Sequence, residues 1–185
     1  AFVASQPALV NAIFGSPLKW VVMLAPLGLV FFLSFRISSM SAGAAQATFW
    51  AYAALNGVAF TTIFLAFTGT SIARVFFIAA ATFAAMSLYG YTTKKDLSGW
   101  GTFLFAGLIG IVVAGLVNIF LASSALQFAI SVIGVVVFVG LTAYDTQRIK
   151  EVYYEGDGHE IAAKKSIMGA LTLYLDFINI FIMML

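Results

Sequence analysis

Two carboxylates, Asp145 and Asp176, each lie inside a long apolar run near the C-terminal end of the chain. A charged side chain at the centre of a bilayer costs roughly 2.5–3.5 kcal/mol even on the lenient insertion scale, so an aspartate in such a run marks a functional position unless it belongs to a polar helix end. Asp145 has that plain reading open to it, because Thr146, Gln147 and Arg148 follow directly. Asp176 does not. Leu173, Leu175, Phe177, Ile178 and Ile180 surround it, and Thr172 at i−4 with Asn179 at i+3 completes one polar stripe that must face protein rather than lipid. A buried ion without a partner neutralises itself, so Asp176 is expected to be protonated, paired, or both. If the two carboxylates are neighbours, repulsion and desolvation make them share one proton and titrate as a unit, which is the chemistry of a pH sensor. A cation such as Arg36 would compete with that proton, and two mutually exclusive partners make a switch. The same oxygens, joined by Asn, Thr and backbone carbonyls, would hold calcium in preference to soft metals.

The elements that must position these acids follow from composition. With 63% hydrophobic and 9% charged residues and a mean hydropathy of +1.07, the chain lies far from the quarter of charged residues usual in soluble domains, and it is an integral membrane protein. Runs of about 20 apolar residues suffice to span, and six occur, near 18–35, 46–67, 72–92, 101–121, 126–147 and 167–185. Their connections carry the expected breakers, Ser38-Ser39-Met40-Ser41 with Gly43, Thr68-Gly69-Thr70-Ser71, Lys94-Lys95-Asp96 with Ser98-Gly99, and Ser123-Ser124. The expected fold class is therefore all-α, a single bundle of six transmembrane helices over 18–185. Residues 1–17, interrupted by Pro7 and Pro17, read as an extramembrane or interfacial segment. The chain opens on Ala1 and ends on apolar Met184-Leu185, as a piece of a longer protein would.

Short cytoplasmic loops retain Lys and Arg. Arg36, Lys94, Lys95, Arg148, Lys150, Lys164 and Lys165 fall on one side of the six spans and Lys19 and Arg74 on the other, so the first side is expected to be cytoplasmic. Trp50 and Trp100 then lie at cytoplasmic helix ends and Trp20 at an external one, as interfacial aromatics do. In this topology Arg36 ends the first span, Asp145 lies near the cytoplasmic end of the fifth, and Asp176 sits about ten residues, roughly 15 Å, into the sixth from the same side.

Gly140-Leu-Thr-Ala-Tyr-Asp145-Thr-Gln-Arg-Ile-Lys150 and Gly169-Ala-Leu-Thr-Leu-Tyr-Leu-Asp176-Phe-Ile-Asn-Ile-Phe181 resemble the paired C-terminal signatures of the Bax inhibitor-1, or transmembrane Bax inhibitor motif, family in its bacterial branch. Tyr89-Gly90-Tyr91-Thr92-Thr93-Lys94-Lys95-Asp96-Leu97-Ser98 resembles the family's loop after its fourth helix. The resemblance covers most of the chain. It implies a seven-helix fold of which these six spans are the second to seventh, and a multi-pass protein of the bacterial inner membrane. It further implies a pH-sensitive calcium leak, with Asp145 and Asp176 as a hydrogen-bonded sensor and Arg36 as the latch that holds Asp145 in the closed state. Calcium and protons are then the partners besides the lipid bilayer, with calcium a transported ion and no cofactor tightly bound. Asn56, Asn118, Thr142, Thr172 and Asn179 are the polar residues available to mark a pathway or to support the pair, beside the plain role of helix-to-helix hydrogen bonding.

Two other classes of function compete. A regulatory membrane protein that binds and restrains a membrane protease or a death-pathway partner fits the same family resemblance; a stoichiometric partner together with absent flux would distinguish it. An intramembrane aspartyl protease also uses two aspartates that share a proton. It requires a Gly-x-Gly-Asp context and a following Pro-Ala-Leu element, and Tyr174-Leu175-Asp176 provides neither, so the chain is not expected to be an enzyme. The small net charge of +2 with basic residues dispersed over loops leaves no nucleic-acid footprint. Without cysteine there is no disulfide or thiolate chemistry. The acidic loop Glu155-Gly-Asp-Gly-His-Glu160 lacks the ligand spacing of an EF-hand and reads as solvated. Ala53 with Gly57, and Gly110 with Ala114, are spaced for close helix approach.

Overall fold

Apolar runs separated by polar turns fold here into helices, and in the computed structural model residues 2–185 are described, with no strand among them. The helices are α1 (Pro7–Phe14), α2 (Leu18–Arg36), α3 (Ala42–Ala59), α4 (Thr61–Ala66), α5 (Gly69–Thr92), α6 (Ser98–Leu121), α7 (Ser124–Val152) and α8 (His159–Met184). Single 3-10 turns occupy Val3–Ser5 and Ile37–Ser39. Among the described residues, six helical stretches are long and apolar enough to cross a membrane: Leu18–Ser39, Ala42–Ala66, Gly69–Thr92, Ser98–Leu121, Ser124–Val152 and His159–Met184. Each covers one of the runs expected from sequence to within a residue. Among the described residues before Leu18, the Val3–Ser5 turn is followed by the eight-residue α1, with Pro7 at its first turn, where a missing N–H costs nothing. The last helix starts at His159 rather than near 167, because the polar stretch ahead of the apolar run is itself helical, with Lys164 and Glu160 paired at i,i+4 (3.3 Å).

The helix ends show how the turns were encoded. Ser41 caps α3 by accepting from the Ala44 amide at 3.2 Å, and Ser123 caps α7 by accepting from the Leu126 amide at 3.3 Å. Between α6 and α7 the chain reverses at Ala122, whose φ of 48° is left-handed. Asn118 holds that reversal from both sides: its Oδ1 accepts from the Ser123 amide at 3.0 Å and its Nδ2 donates to Gln127 Oε1 at 3.2 Å.

The chain forms two compact units. One comprises the residues up to Ile72 together with Glu155–Met168, and in it α2 packs on α3. Within this unit Lys165 pairs with Asp157, and Lys164 Nζ donates to the Ser38 carbonyl at 3.4 Å, tying the start of α8 to the turn after α2. The other unit comprises Ala73–Tyr154 and Gly169–Leu185, so it holds α6, α7 and most of α5 and α8. Its α6–α7 seam is a zipper. A Cβ on Gly101 would lie 2.6 Å from the Tyr144 ring, one on Gly140 2.7 Å from Leu104, and one on Gly107 3.0 Å from Val137, so bare backbone on each helix receives a side chain from the other. The order of these contacts makes α6 and α7 antiparallel. Gly134 against Met183 and Gly169 against Ile149 fix α7 and α8 antiparallel in the same way. Phe76 and Phe83 of α5 meet Phe177 edge-on at 5.6 Å between centroids, and Phe76 also meets Phe181 at 6.3 Å.

Outward faces are apolar: Phe120 is 88% and Phe35 78% exposed, as side chains facing lipid tails must be. The polar residues Thr61, Thr142, Gln147 and Asp176 are buried instead. The close approaches expected at Gly57 and Gly110 are not made, since a Cβ there would meet nothing within 4 Å. Four-residue spacing of small residues shows where a helix is narrow, and a neighbour must still arrive. The tightest approach is at Gly90 of α5, where an added Cβ would run into the Ala143 carbonyl and stand 2.9 Å from its Cα.

Candidate functional site

The register of α7 against α8 accounts for the meeting of the two aspartates. With Gly134 opposite Met183 and Ile149 opposite Gly169, the antiparallel pair brings Asp145 to within one helical turn of the level of Asp176. Their carboxyl groups lie within hydrogen-bonding reach of each other, an arrangement that is attractive only when a proton stands between them. Asp176 is 4% exposed, and its Oδ2 has no hydrogen-bond partner among the described residues. Asp145 is half-buried.

Both acids line a cavity of about 630 Å³ between α6, α7 and α8, within the second unit, that opens at the surface beside the exposed Phe105 and Val112. Its wall is largely apolar, with Phe105, Leu108, Ile111 and Val112 from α6, Phe138 and Leu141 from α7, and Leu175 and Met183 from α8. Thr102, Tyr144, Arg148, Thr172 and Asn179 are the other polar and charged residues lining it. The Tyr144 ring is seated on the bare backbone at Gly101, which fixes the side chain preceding Asp145. Arg148, one turn beyond Asp145 on α7, lies within charge–charge range of that carboxylate.

A second set of contacts secures the α7 end of the site. Gln147 is buried; its Oε1 accepts from the Leu97 amide and its Nε2 donates to the Lys95 carbonyl, both at 2.8 Å. Lys150 Nζ donates to the Tyr91 carbonyl at 2.9 Å and sits 4.8 Å from the centre of the Tyr91 ring. The loop between α5 and α6 is thus fastened to α7 beside Asp145. Within that loop Asp96 accepts from the Ser98 amide at 2.8 Å, and the hydrogen bonds from Ser98 hold its carboxyl below the usual carboxylate value.

The remaining residues singled out from sequence fall in different places. Thr172 and Asn179 line the cavity with Asp176; the Asn179 amide also donates to the Leu175 carbonyl at 2.8 Å. Thr142 is buried one turn before Thr146 and donates to the Phe138 carbonyl at 2.8 Å, an intrahelical bond that leaves it no free proton. Asn118 is occupied with the α6–α7 turn. Asn56 lies near the end of α3 in the first unit, and Arg36 is exposed in the last turn of α2 in that same unit, whereas both aspartates belong to the second. No cluster of three or more His, Asp or Glu side chains able to hold a metal occurs among the described residues. The acids and their stripe are visible in sequence; Arg148 reads there only as part of the polar end of its helix, with Arg36 as the candidate cation instead. Gln147 carried no local signal, because its partners lie fifty residues away.

Over residues 1–185 the chain matches the family described as inhibitor of apoptosis-promoting Bax1. It is 49% identical over 187 residues to the inner membrane protein YbhL of Escherichia coli K12, covering 100% of this chain and 80% of that one. It is 52% identical over 162 residues to protein RP147 of Rickettsia prowazekii, covering 88% and 69% of the two chains. A protein of Borreliella burgdorferi is 43% identical over 188 residues, covering 100% of this chain and 81% of its own.

Proposed function

Since the chain belongs to the Bax inhibitor-1 family of multi-pass membrane proteins, we propose that it is a pH-sensitive calcium leak of the bacterial inner membrane in which Asp145 and Asp176 are the proton sensor. The observation that carries this reading is the carboxylate pair itself: two acids in reach of one another, one of them almost fully buried, on a cavity wall that is otherwise mostly apolar. Such a pair holds one proton as a unit, and the protonated form makes the inter-carboxyl hydrogen bond. When the proton leaves, two like charges face each other and the pair needs a cation. Arg148 stands beside Asp145 in the second unit; Arg36 serves as the latch that engages Asp145 at alkaline pH and lets go when acidification restores the proton. Calcium, which takes six to eight oxygen ligands, would draw on the two carboxylates, the Thr172 hydroxyl, the Asn179 amide and retained water.

The test is calcium influx into dye-loaded proteoliposomes over a series of pH values, for the protein and for Asp145→Asn and Asp176→Asn. Flux is expected to rise on acidification and to lose most of its pH dependence in either variant. Flux absent at every pH would overturn the leak, and co-purification of a stoichiometric membrane partner would then favour the regulatory reading.

A further inference from the structure

We propose that the cavity between α6, α7 and α8 is a binding site for a small amphipathic organic ammonium ion, held by Asp176. The cavity is too large for a calcium ion alone. At about 630 Å³ it lies in the range of small-molecule sites, about 300–1,000 Å³, whereas an ion with oxygens at about 2.3–2.6 Å fills only a small part of it. One side of it is apolar as well: Phe105, Leu108, Ile111 and Val112 line it from α6. Hydrated calcium gains nothing from that surface, and a hydrocarbon group does.

The polar end of the cavity specifies the ligand's charge and hydrogen-bonding capacity. Asp176 is 4% exposed and its Oδ2 accepts no hydrogen bond, a deficit that a buried carboxylate oxygen does not ordinarily carry. Arg148, one turn beyond Asp145 on α7, lines the same cavity, and Asp176 shares it with the Asp145 carboxyl. What is unmet at Asp176 is a hydrogen-bond donor to Oδ2, and once the shared proton is gone that donor must also carry positive charge. A primary ammonium supplies three N–H donors on a compact charge and can replace the shared proton between the carboxyls; a neutral alcohol cannot balance the charge, and a quaternary ammonium cannot donate. Thr172 and Asn179, one turn either way along α8, offer further oxygens to the same ammonium. A ligand with a short aromatic or aliphatic tail then places the tail against α6. The inference needs no gating and no calcium.

The experiment is a calorimetric titration, in lipid nanodiscs at alkaline pH and without calcium, of phenethylammonium into the protein, with 2-phenylethanol as the uncharged counterpart of nearly the same shape. Saturable binding of the ammonium is expected and none of the alcohol. Asp176→Asn, which keeps the shape and removes the charge, should weaken binding at least about tenfold. Leu108→Trp, which fills the cavity and leaves both carboxylates intact, should weaken it comparably, so the proposal stays testable even if the aspartate variant fails to fold. Equal uptake of ammonium and alcohol, or full affinity in Leu108→Trp, would mean partition into lipid and would overturn the site.

Discussion

Asp176 is placed at a cost to stability. Its carboxyl is buried, faces a second carboxyl and leaves an oxygen without a hydrogen bond, and each of these is unfavourable on its own. Replacing one member of such a pair by its neutral isostere removes repulsion without opening a cavity. Asp176→Asn is therefore expected to melt in detergent at the same temperature as the parent or higher, while losing pH-dependent flux; a clear fall in Tm would mean that the carboxylate is structural. Asp145 differs, being half-buried with Arg148 beside it. Both acids were legible from sequence because a charge in an apolar run is conspicuous whatever the fold. Asn118 and Thr142 looked equally available, but a polar side chain's partner is invisible until the turn or the helix that supplies it is formed, and here both are satisfied locally.

At the scale of helices, precision comes from glycines that admit a neighbour rather than from polar bonds. Gly90 lets α5 lie directly on α7 at Ala143, two residues from Asp145. An added methyl there meets backbone, which cannot rotate away, so Gly90→Ala should cost about 1–3 kcal/mol and lower Tm, whereas Gly110→Ala, with open space around it, should leave Tm unchanged. Gln147 acts across a longer sequence distance. Its truncation to Ala frees the Lys95 carbonyl and leaves the Leu97 amide unmet, at a cost of about 1–3 kcal/mol. Trypsin should then cut after Lys94 or Lys95 faster than in the parent; unchanged cleavage would show that the loop is held by other means. The spans themselves were readable because apolar length is a local property. The seams were not, since four-residue spacing is common to narrow faces that meet a helix and to those that meet lipid.

For the whole molecule, family membership and, among the described residues, six helical stretches long and apolar enough to cross a membrane agree with exposed phenylalanines and with Thr61, Thr142, Gln147 and Asp176 withdrawn inside. The two most enclosed spans, α7 and α8, carry the two aspartates. On the proposed reading, a sensor on the most enclosed helices would couple one proton to helix packing, because separating α7 from α8 would part the two carboxyls. The most direct test of this account is an infrared titration of the carboxyl stretch in the reconstituted protein, with Asp145→Asn and Asp176→Asn alongside. A single protonated-carboxyl band that disappears in one step on alkalinisation, and is shifted or lost when either aspartate is replaced, is the predicted result. Two bands that titrate separately, each unchanged when the other residue is replaced, would contradict it.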